Sequence, residues 1–89
     1  MLPGIVGFDA LGRHGALGVV VGVDDRSAHG PVLIVRGGIS DSLVYHVPWT
    51  SVRTVSSAGR NVVLDLDLAD FDAHLREDGT VELRLAQNE

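Results

Sequence analysis

The stretch Asn61-Val62-Val63-Leu64-Asp65-Leu66-Asp67-Leu68 decides how this chain is read. Every second residue from Val62 to Leu68 is aliphatic, and Asp65 and Asp67 fall between them. A period of two marks a strand with one dry and one wet face, because successive side chains of a strand leave on opposite sides. A helix would spread these carboxylates and aliphatics around its circumference. The same alternation returns in Thr80-Val81-Glu82-Leu83-Arg84-Leu85, with Val81, Leu83 and Leu85 on the dry face. Strands of this kind build antiparallel sheets.

Working outward, Leu17-Gly18-Val19-Val20-Val21-Gly22-Val23 alternates large and small, so glycines thin one face. Pro31 to Arg36 and Ser42 to Val47 are apolar on both faces and read as central or doubly covered strands, and Val52 to Val55 is a short sixth candidate. The punctuation between them is that of hairpins: Asp24 to Gly30, Gly37-Gly38, Ser56 to Gly59 and Asp78-Gly79. One stretch, Ala69 to Arg76, is expected to hold a helical turn or two, with Phe71 and Leu75 four apart and Asp70 as a cap. The expected fold is all-β: a small six-stranded antiparallel barrel, one domain over residues 1–89.

Composition narrows the function. The 89 residues are 45% hydrophobic and 21% charged, a globular composition with room for one small core. There is no cysteine, which excludes disulfides and thiol chemistry. Seven Arg and no Lys stand against twelve Asp and Glu, a net charge of −5 that repels nucleic acid and anionic membrane. The longest apolar run, Ala16 to Val23, falls far short of the roughly 20 residues of a spanning helix. Met1 to Ile5 lacks the basic start of a secretory signal. A cytoplasmic location without membrane insertion is expected.

The reactive side chains form no catalytic pattern. Asp65 and Asp67 lie about 7 Å apart along one strand face at ~3.4 Å per residue, and Asp70 and Asp72 continue an acidic corner. Such oxygens could hold Ca²⁺ or Mg²⁺, but the spacing matches no defined loop, and a solvated face paired with Arg84 is the plainer reading. His14, His29, His46 and His74 are dispersed, with no pair at a ligand spacing. His46 lies within an apolar strand, as a packed or hydrogen-bonded histidine would. Ser27, Ser40, Ser42, Ser51, Ser56 and Ser57 sit in or near turns, outside any nucleophile elbow. Gly12-x-x-Gly15-x-x-Gly18 is neither a dinucleotide fingerprint nor a P-loop. No enzyme, metal or cofactor is expected.

The apolar residues exceed what one small interior needs. Val20, Leu33, Val35, Val44 and Val63 fall opposite other inward-looking residues on their strands. Covered by Leu2, Phe8, Phe71 and Leu75 they would form a second small core; uncovered they would be a patch for association. With Trp49, a barrel plug or an interface anchor, these five are the interface candidates.

The order of features resembles the PRC-barrel family over residues 3–68. The segments are Ile5-Val6-Gly7-Phe8-Asp9-Ala10-Leu11-Gly12, then Leu17-Gly18-Val19-Val20, the acidic turn Asp24-Asp25, and Val32-Leu33-Ile34-Val35-Arg36-Gly37-Gly38. Tyr45-His46-Val47-Pro48-Trp49 follows, a strand ending in a Pro-aromatic pair, ahead of Val52 and Val55. The loop Arg13-His14-Gly15 departs from the family pattern, and residues 69–89 extend past the usual barrel. The resemblance implies a non-catalytic interaction module, expected here as a dimeric adaptor that docks a partner protein, as small prokaryotic members do in cell division. A ribosome-maturation-type domain that binds a ribosomal protein, or a detached reaction-centre-H-like barrel, is the alternative.

Overall fold

The computed structural model describes residues 3–26 and 30–86, so Leu2 and His29 lie outside the described residues. Among these residues eight strands form one sheet: β1 (Asp9–Gly12), β2 (Gly15–Asp24), β3 (Val32–Gly37), β4 (Leu43–Pro48), β5 (Val52–Ser56), β6 (Asn61–Leu64), β7 (Phe71–Leu75) and β8 (Val81–Leu85). Their order across the sheet is β5-β6-β1-β2-β3-β4-β8-β7. β1 to β4 are an antiparallel meander. The hairpins β5–β6 and β7–β8 flank it, each joined through a parallel ladder, β6 on β1 and β8 on β4.

Two expectations are corrected here. The sheet has eight strands and stays open, where a closed six-stranded barrel was expected. The stretch expected to be helical is a 3₁₀ turn, Leu68–Asp70, followed by β7. Phe71, Ala73 and Leu75 share one face and Asp72 and His74 the other, and pairing with β8 outweighs a weak i, i+4 signal. Residues 69–86 therefore extend the sheet beside β4. The strand read from Asn61 to Leu68 also ends early, at Leu64, where the chain bends into that turn.

Among the described residues no helical layer covers either face, yet Val20, Leu33, Val35, Val47 and Val62 are 0% exposed and Leu64 is 1% exposed. A flat sheet could not hide them; this sheet curls around its own concave face. The curl has identifiable causes. An extra residue in β2 at Leu17, another at Val21 and one in β5 at Arg53 shift the register, and such bulges bend and twist a strand. Gly18 and Gly37 let β2 and β3 approach, since a Cβ on Gly18 would overlap the Arg36 carbonyl and one on Gly37 the Leu17 carbonyl. Tyr45 and Phe71 meet edge to face inside, ring centres 5.2 Å apart.

The interior claims three of the interface candidates. Val20, Leu33 and Val35 face the core, so they present nothing to a partner of the folded chain. The two-sided strands give no internal clue to which side is in, and the curl of the sheet turns these three residues inward. Val44 is buried as well, while Trp49 and Val63 are half-buried.

Candidate interaction surface

The opening of the curled sheet holds a cleft of about 300 Å³. Leu17, Leu43, Tyr45 and Leu68 supply its apolar wall, and His14 and Asp67 its polar rim. The rim is built locally. Gly12 and Gly15 flank the Arg13-His14 turn between β1 and β2, and Gly15 has a φ of 141°, where glycine has no steric penalty. The Arg13 amide donates to the Leu66 carbonyl at 2.7 Å and its side chain to Asp65 at 3.1 Å. His14 Nδ1 lies 3.1 Å from an Asp67 oxygen.

Asp67 also opens the next turn. Its carboxylate accepts from the Ala69 amide at 3.0 Å, and Asp70 returns a carboxylate to the Asp67 amide at 2.9 Å, a reciprocal capping box. Asp70 thus caps a turn, but from its third position and with Asp67 as the leading residue. The box leaves Leu68 59% exposed on the lip of the cleft. Across from it, the β3–β4 turn carries Gly38, Ser40 and Asp41 at positive φ (77°, 58° and 55°). Positive φ at consecutive non-glycine residues is uncommon. At its tip Ile39 is 90% exposed. Burial pushes the Tyr45 hydroxyl up from its ordinary range.

The acidic corner is dispersed by these contacts. Asp65 pairs with Arg13 and Asp67 with His14, neither with Arg84. Among the described residues no three His, Cys, Asp or Glu side chains gather where they could hold a metal ion. Arg84 instead donates to Glu82 at 2.8 Å on the convex face. Arg76 (3.0 Å) and His46 (3.1 Å) also reach Glu82, tying the β7–β8 hairpin to β4. The Arg84 hydrogen bond, then its charge and that of His46, hold the Glu82 carboxyl below its ordinary value against the opposing effect of desolvation. This cluster is a bracket between strands.

Trp49 anchors rather than protrudes. It opens the 3₁₀ turn Trp49–Ser51, its amide donates to the Pro31 carbonyl at 2.9 Å, and its ring packs on the core. The exposed large aliphatics among the described residues are elsewhere: Val6; Val19 and Val21 on β2; Ile39; Val55 on β5; Leu68; and Leu75 on β7, 80% exposed. Leu68 belongs to the expected dry face of Asn61 to Leu68, and Leu75 to one of the two open readings of the apolar surplus. Leu68 misses the interior because the capping box redirects the chain, and Leu75 because β7 outruns the core.

Among the described residues no helix is long and apolar enough to cross a membrane. No family model, curated protein or solved structure matches this chain.

Proposed function

We propose that this chain is a non-catalytic, cytoplasmic protein–protein interaction module, a homodimeric adaptor whose cleft receives an apolar side chain of a partner protein. The observation that carries this reading is the exposed Leu68 on the lip of a mainly apolar cleft whose polar side chains are His14, Asp67 and the Tyr45 hydroxyl. Its volume suits one or two side chains better than a cofactor, as it lies at the bottom of the range for small-molecule sites. A relationship to PRC-barrel proteins is part of the proposal. The segments that resemble the family fall on β1 to β6, with Pro48-Trp49 at the end of β4.

The test is a set of captures from native lysate, with and without nuclease, made with the tagged chain and with Leu68→Glu. Leu68 is exposed in a short turn, so the variant should melt within a few degrees of the parent. Proteins retained by the parent and lost with the variant support the reading. An unchanged set of captured proteins, or ribosomal components released by nuclease, would overturn it.

A further inference from the structure

Among the described residues the sheet ends on β5 and β7, each paired on one side only. β5 is blunted by its bulge at Arg53. β7 pairs with β8 in unbroken register, contains no proline, and exposes four of its five residues. Its ladder fixes which main-chain groups are free. The Ala86 amide donates to the Asp70 carbonyl at 3.0 Å and the Arg76 amide to the Thr80 carbonyl at 2.8 Å. In an antiparallel ladder bonded and non-bonded pairs alternate, so Asp72 and His74 also turn their N–H and C=O toward β8. Phe71, Ala73 and Leu75 turn theirs to the free edge. The Phe71 amide is already used, donating to the Leu68 carbonyl.

We infer that β7 pairs antiparallel with β7 of a second copy of this chain, in the register that places Ala73 opposite the partner's Ala73. This rests on the reading of the chain as an interaction module, and supplies its homodimer. Two-fold symmetry requires an antiparallel pairing of like edges. The outward groups of residues 71, 73 and 75 allow three symmetric registers with two or more bonded positions. Centring on Asp72 sets Asp72 against the partner's Asp72, carboxylate on carboxylate. Centring on His74 sets imidazole on imidazole and leaves Phe71 outside the ladder. Centring on Ala73 uses all five residues. Asp72 then faces the partner's His74, a carboxylate beside an imidazole N–H, in the non-bonded position where side chains approach most closely. Leu75, 80% exposed in the single chain, faces the partner's Phe71. The ladder holds four main-chain hydrogen bonds: two between the alanines, and one from each Leu75 amide to the partner's Phe71 carbonyl, counting the engaged Phe71 amides as absent. A contact of this size is at the small end for specific interfaces, so the dimer dissociates on dilution.

The chain has no cysteine, which makes cross-linking decisive. Asp72→Cys and His74→Cys proteins are oxidised separately and as a mixture. The inferred register gives a disulfide dimer in the mixture, between Cys at 72 of one chain and Cys at 74 of the other, while the second Asp72–His74 pair stays intact. Neither protein alone cross-links efficiently. Self-cross-linking of either protein alone would overturn the register. A companion measurement is light scattering of the parent and Ala73→Pro. Proline at 73 removes an amide that serves no ladder among the described residues, so the variant should remain folded and become monomeric. A dimer that persists in Ala73→Pro would overturn the β7 contact and leave the interaction module standing. A parent that is monomeric at every concentration would overturn self-pairing, and the Leu68→Glu captures would then decide the module reading separately.

Discussion

At the scale of single residues, two glycines and a valine carry the clearest predictions. A methyl at Gly18 or Gly37 meets a carbonyl of the neighbouring strand, which cannot yield without opening the β2–β3 ladder. Gly18→Ala and Gly37→Ala are each expected to cost about 1–3 kcal/mol in chemical denaturation, the usual range for overpacking. Gly22→Ala, in the same strand, meets nothing within 4 Å and should stay within about 0.5 kcal/mol of the parent. Equal effects at positions 18 and 22 would contradict the close approach. Val35 separates the two readings of the apolar surplus. Were it exposed, Val35→Asp would abolish assembly and spare the fold. Being fully buried, it should instead unfold the chain, seen as loss of the cooperative transition by circular dichroism.

At the scale of elements, three carboxyls held by neighbouring donors shape the response to acid. Glu82 lies below its ordinary 4.5, and Asp24 and Asp78 lie below 3.8. For Asp24 the cause is first the Arg26 side chain, and for Asp78 the Thr80 hydroxyl. A carboxyl depressed in the fold binds fewer protons than in the unfolded chain, so stability rises with pH across that window. Its contribution is complete above the unfolded values and fades as pH falls through the folded ones. Thermal melts should be insensitive to these carboxyls between about pH 6 and pH 5 and decline below about pH 4.5. Glu82→Gln should make the decline shallower, because one depressed carboxyl is gone. A decline of unchanged steepness would show that Glu82 is not the bracket between β4 and β8.

Elements also show how far the residues could be read. Val62 and Leu64, and Val81 with Leu83 and Leu85, declared their strands because charged residues mark the wet side. β3 and β4 declared themselves as strands but not their orientation, since both parities are aliphatic and only the curl of the sheet selects one. The helical expectation at 69–76 failed on a real ambiguity. Phe71-Asp72-Ala73-His74-Leu75 carries both a four-residue spacing and a period of two, and its partner β8 decides between them. That alternation was the available signal for the edge strand. The cleft was not legible at all. It brings together residues 14, 43 and 67, which only the wrapping of the sheet juxtaposes.

At the scale of the whole molecule, a −5 charge, with Arg13, Arg26, Arg76 and Arg84 engaged by neighbouring carboxylates, leaves little to attract a polyanion. The chain should pass through a heparin column unretained at 0.15 M salt, the ~8 Å screening regime of the cell. Retention there would reopen a nucleic-acid role. What the molecule offers instead is a curled open sheet with a cleft at its mouth and one unblunted edge. Amide hydrogen exchange along β7, at two protein concentrations a hundredfold apart, tests this account most directly. Asp72 and His74 amides should be protected at both, since they bond to β8. Ala73 and Leu75 amides should exchange freely in the dilute sample and become protected in the concentrated one. Free exchange of Ala73 and Leu75 at both concentrations, or protection of all four amides in the dilute monomer, would contradict it.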